Sequence, residues 1–109
     1  MDIETIATGY ILMEGGAGST VEFISGTRPI PMNRQDIAVA HALAGQYLGM
    51  NLIYLEAGSG ATVPVTNEVV KAVTNVLDIP VIVGGGIRDT ETAKEKVKAG
   101  ASILSLIHI

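Results

Sequence analysis

"IPVIVGGGIRDTETA", residues 79–93, runs from an apolar segment through three consecutive glycines into a segment of helical composition. The β-branched run Val81-Ile82-Val83 has the pattern of a parallel strand buried on both faces. Glycine is the costliest residue to order, so three in a row at a strand end imply a specific need. At a strand-to-helix junction, glycines let amide N–H groups converge on an anion that Cβ atoms would keep away. Gly84, Gly85 and Gly86 are therefore candidates to hold a phosphate. The competing reading is a tight turn that needs only positive φ. Arg88 either adds charge to such a site or stands exposed at the start of the next helix.

The same unit recurs along the chain. "GYILME" (9–14) reads as a first strand, followed by a Gly-rich loop and the Pro-containing "GTRPIPMN" (26–33). A helix over "RQDIAVAHALAGQYLGM" (34–50) is expected, with Asn33 as N-cap, Asp36 in the first turn and Gly49 at its end. In the second strand, "NLIYLEAG" (51–58), Ile53 and Leu55 alternate against Tyr54 and Glu56. A helix over "NEVVKAVTNVL" (67–77) gathers Val69, Val70, Val73, Val76 and Leu77 on one side. Asp89 caps a third helix over "TETAKEKVKA" (90–99), Gly100 closes it, and "ASILSLI" (101–107) opens a fourth strand. Strands alternating with helices give a parallel α/β sheet. The pattern alone admits both an open doubly wound sheet and a closed barrel. Polar and glycine residues cluster after each strand, at Glu14 to Gly16, Glu56 to Gly60 and Gly84 to Gly86, the end at which (β/α)₈ barrels build active sites. A complete barrel takes ~250 residues, so 109 residues supply about half of one.

Composition narrows the function. The chain is 48% hydrophobic and 17% charged, with a net charge of −4 and no cysteine. A buried core is expected, disulfides and thiolate metal sites are excluded, and the acidic balance argues against nucleic acid or anionic lipid as main partner. No apolar run reaches the ~18 residues of a membrane span, and no signal pattern opens the chain. A cytoplasmic protein is expected. His41 and His108 form no metal site, and His41 reads as a helix-packing residue. "MEGGAGST" (13–20) lacks the dinucleotide spacing and reads as a flexible connection.

"YLEAGSG" (54–60) carries the remaining chemistry. Glu56 ends an apolar strand and points into the barrel mouth, where a carboxylate can accept a proton from a hydroxyl nucleophile. Gly58, Ser59 and Gly60 can donate hydrogen bonds to a polar substrate. A structural Glu paired with a neighbouring base is the alternative.

"GYILMEGG", "RPIPMNRQDIAVAHALAGQYLGMNLIYLEAGSGA" and "IPVIVGGGIRDTETA", in this order, resemble the geranylgeranylglyceryl phosphate synthase family and its heptaprenylglyceryl phosphate synthase relatives. "YLEAGSG" followed by "VGGGIR" is specific to that family, and the "AGSG" form is similar to its second group. The resemblance implies the C-terminal half of a modified TIM barrel. It implies transfer of a prenyl group, geranylgeranyl in this reading, from its diphosphate to sn-glycerol-1-phosphate in ether lipid biosynthesis, with Mg²⁺ assisting departure of the diphosphate. It further implies that Glu56 takes the hydroxyl proton, that Tyr54 contacts the glycerol phosphate, and that Gly84, Gly85 and Gly86 hold its phosphate. Ser59 is displaced by one position from the serine of the family's other group, where this chain has Gly58.

Departures from the family pattern set further expectations. Residues 1–103 read as the half-barrel, without the Mg²⁺ and diphosphate ligands of the first four strands. Leu104 to Ile109 read as the translation of CTG TCT CTT ATA CAC ATC, a transposon-derived library adapter. Rival readings are another phosphate-binding barrel, such as a sugar-phosphate isomerase, and a non-catalytic half-barrel that pairs with itself. Strand edges at "GYILME" and "ASILSLI" point to a homo-oligomer.

Overall fold

A computed structural model of the chain describes residues 6–15, 28–58 and 61–105. Four strands alternate with three helices: β1 (Thr8–Leu12), α1 (Gln35–Tyr47), β2 (Leu52–Glu56), α2 (Asn67–Val76), β3 (Val81–Gly84), α3 (Thr90–Ala99) and β4 (Ile103–Ser105). The strands form one parallel sheet in the order β1-β2-β3-β4. Tyr10 lies opposite Tyr54, Tyr54 opposite Ile82, and Ile82 opposite Ile103.

A doubly wound sheet reverses its strand order and carries helices on both faces. Among the described strands the order never reverses, and most of the core lies on one face. Ile11, Ile53, Leu55, Val81 and Val83 on the strands meet Ala38 and Ala42 of α1 and Val69, Val70 and Val73 of α2. The sheet is therefore an arc of a (β/α)₈ barrel, with helices on its outer side. The inner side is more open in its lower layer, where Tyr10 is 48% and Ile103 53% exposed, while Leu12 above is buried.

This one-sided burial corrects the expectation for β3. Val81 and Val83 are buried, but Ile82 is only partly so, because nothing described packs on the inner face there. Val76 also departs from the expected apolar stripe, being exposed at the end of α2. In α1, the buried face is narrowed to Ala38 and Ala42, and His41 is exposed rather than packed.

Local chemistry sets the helix boundaries. Thr66 caps α2 by accepting from the Val69 N–H, and Asp89 caps α3 by accepting from the Thr92 N–H at 2.7 Å. Gly100, at φ +128°, ends α3. Asn33 is not the cap of α1. The turn that brings the Arg34 N–H onto the Pro31 carbonyl (3.0 Å) makes Arg34 the N-cap, and its guanidinium pairs with Asp36. Lys96, buried in α3, donates to Asn67 Oδ1 at 2.6 Å and so ties α3 to the first turn of α2. Burial lowers its pKa from the ordinary lysine range, against the opposing charges of Glu95 and Glu68.

The outer edge of β1 is partly closed. The Ile30 N–H donates to the Leu12 carbonyl and the Ile30 carbonyl accepts from the Glu14 N–H, both at 2.9 Å. Pro29 and Pro31 flank Ile30, and proline has no N–H with which to extend the ladder. The expectation of an unpaired edge along "GYILME" therefore fails at its C-terminal end.

Candidate functional site

The site lies where the strands end. Beyond β1, the Gly15 carbonyl accepts from the Thr62 N–H (2.9 Å), the Val63 N–H (3.2 Å) and the Thr62 hydroxyl (3.1 Å). A Cβ on Gly15 would collide with the Ala57 carbonyl oxygen. Met13 to Gly15 are thus fixed against the loop after β2, which corrects the flexible-connection reading for these residues. Gly16 to Thr20 lie outside the described residues.

Glu56 is the last residue of β2 and is half-buried. Alternation along the strand puts Ile53 and Leu55 under the helices and turns Tyr54 and Glu56 to the inner face. Glu56 Oε1 accepts from the Gly58 N–H at 2.8 Å, which fixes one carboxylate oxygen by a bond within its own loop. Gly58 makes that turn at φ +98°. Ser59 and Gly60 lie outside the described residues.

The triple glycine packs directly onto this loop. Gly84 completes the pairing, opposite Glu56, and its carbonyl accepts from the Ala57 N–H at 3.0 Å. Gly85 has φ +87°, and a Cβ there would stand 2.5 Å from Glu56 Oε1 and 2.8 Å from the Gly58 nitrogen. Gly86 has φ +74°, and its Cβ would stand 2.9 Å from the Pro64 nitrogen. Both glycines satisfy a positive φ and a close approach at once. The group that comes so close is the chain's own loop from Glu56 to Pro64. Arg88 Nη2 donates to the Ala61 carbonyl at 3.1 Å and clamps that loop from the other side.

One residue of the site escaped the sequence reading. Tyr10 stacks against Tyr54, with ring centroids 5.5 Å apart and planes tilted by 31°. Burial pushes its hydroxyl pKa up to about 12, helped by the Glu56 charge and then by Tyr54. The available signal was register: tyrosines sit at equivalent places in "TGYIL" and "LIYLE". The structure thus gathers Tyr10, Tyr54, Glu56, Gly58 and Gly84 to Gly86 at one end of the arc. Its chemistry is that of a carboxylate with one oxygen anchored, above a floor of two tyrosine rings.

Residues 1–106 match the model of the PcrB family. The chain is 53% identical over 102 residues to the geranylgeranylglyceryl phosphate synthase of Pyrococcus horikoshii, covering 94% of this chain and 39% of that protein. It is 49% identical over 102 residues to the synthase of the same name from Chitinophaga pinensis, covering 94% and 40%. The crystal structure of (S)-3-O-geranylgeranylglyceryl phosphate synthase from Thermoplasma acidophilum, in complex with its substrate sn-glycerol-1-phosphate, superposes with a TM-score of 0.88 at 44% identity. That match covers 95% of this chain and 41% of the other. The chain therefore spans about two fifths of the length of these relatives. Among the described residues, no helix is long and apolar enough to cross a membrane.

Proposed function

The chain belongs to the PcrB family, and on that premise we propose that it forms the acceptor side of a cytoplasmic prenyltransferase joining geranylgeranyl diphosphate to sn-glycerol-1-phosphate. The observation that carries this reading is the Glu56 carboxylate. It is anchored through Oε1 by the Gly58 N–H, on the inner face beside Tyr54. The other carboxylate oxygen takes the proton of the glycerol hydroxyl as the glycerol oxygen bonds to the allylic carbon. The bond from that carbon to the diphosphate breaks, and the diphosphate leaves with its electron pair. Tyr54 contacts the glycerol phosphate. In this reading, main-chain N–H groups at Gly84 to Gly86 receive the phosphate. The relative from T. acidophilum, solved with sn-glycerol-1-phosphate, supports this choice of acceptor.

The resemblance also implies Mg²⁺ with the diphosphate. Among the described residues, no group of three or more His, Cys, Asp or Glu could hold a metal ion. These residues do not fit a metal site. We assign the diphosphate to parts of the full-length relatives that this chain does not match. A homo-oligomer is the further reading, favoured by the exposed Tyr10 and Ile103 on the inner face.

Calorimetric titration of a full-length protein carrying this segment tests the proposal. sn-Glycerol-1-phosphate should bind saturably, and glycerol, lacking the phosphate, should not. Equal binding of the two, or binding of neither, contradicts the acceptor assignment.

A further inference from the structure

Residues on the inner face stand in two layers. Leu12, Glu56 and Gly84 share the upper one, and Tyr10, Tyr54, Ile82 and Ile103 share the lower. Tyr10 and Tyr54 are directly paired across β1 and β2, and their rings touch. The Tyr10 ring lies against Tyr54 on its β1 side. On the β3 side its neighbour is the aliphatic Ile82. The Tyr10 ring is an aromatic contact of Tyr54, two residues from the carboxylate.

We propose that Tyr10 is a positioning residue of the acceptor site, its ring holding Tyr54 in the orientation that presents sn-glycerol-1-phosphate to Glu56. This rests on the acceptor reading above. The hydroxyl of Tyr10 is not required for it. Burial and the Glu56 charge raise its pKa further above ordinary pH, and it stays neutral beside the carboxylate. Loss of an aromatic pair weakens what the pair holds by about two- to tenfold.

Steady-state kinetics of Tyr10→Phe and Tyr10→Leu in a full-length protein carrying this segment provide the test. Phe keeps the ring and should leave both KM values and kcat within about twofold of wild type, whereas Leu should raise KM for sn-glycerol-1-phosphate about five- to tenfold. KM for geranylgeranyl diphosphate should stay unchanged in both, and Leu should lower the melting temperature by no more than about 6 °C. A Leu variant with normal KM overturns the proposal. So does a Phe variant as impaired as Leu, which would put the effect on the hydroxyl. A Leu variant that raises both KM values and melts early would make Tyr10 a folding residue and also overturn it. Failure of the wild type to use sn-glycerol-1-phosphate removes the acceptor reading itself, and this inference with it.

Discussion

At Gly85, a single added methyl group would stand 2.5 Å from Glu56 Oε1, on a backbone at φ +87°. Gly85→Ala therefore strains the turn, by about 1–3 kcal/mol, and displaces the carboxylate. We expect lower thermal stability and lower kcat together, read by melting curves and single-turnover rates. Glu56→Gln keeps the shape and removes the base. It should lower kcat by ~10²–10⁴-fold with the melting temperature and the affinity for glycerol phosphate unchanged; full activity in this variant would make Glu56 structural. The place of Glu56 at the inner end of β2 was legible from the alternation of Ile53 and Leu55 with Tyr54 and Glu56. The close packing at Gly85 and Gly86 was not, because the atoms pressing on them come from a loop more than 20 residues away. Asn33 misled for a related reason: a good capping residue lost its place to a turn set by Pro31.

Among the elements, the caps make separate predictions. Thr66→Ala removes the acceptor for the Val69 N–H and should destabilise the fold by about 0.5–2 kcal/mol, measured by urea unfolding. Asp89 acts through its charge as well. The Thr92 N–H holds its carboxyl below the usual carboxylate range. A pKa depressed on folding contributes stability that is present above the unfolded value, about 3.9, and is lost as pH falls through the lower folded value. The stability of Asp89→Asn should thus depend less on pH below about 4 than that of the wild type. Among the described residues, the existence and order of the seven elements were readable from apolar periodicity and from Asp89 and Gly100. The exposure of Ile82 was not, because a β-branched run does not say whether one layer or two will cover it.

At the scale of the molecule, the unreversed strand order decides between the two architectures that the sequence left open. Helices cover one face, and Tyr10 and Ile103 stand exposed on the other. Wet apolar surface costs about 25 cal/mol per Å², and among the described residues Ile30 closes one end of the β1 edge. The 109-residue chain by itself should therefore sediment as a dimer or larger species at micromolar concentration. A cooperative, stable monomer would show that the arc closes its own inner face. The central claim, that this segment carries the acceptor site of a prenylglyceryl phosphate synthase, is tested most directly by turnover. A full-length protein carrying it is incubated with radiolabelled geranylgeranyl diphosphate and sn-glycerol-1-phosphate. The account predicts labelled geranylgeranylglyceryl phosphate from the wild type and almost none from Glu56→Gln; a folded wild type that makes no such product would contradict it.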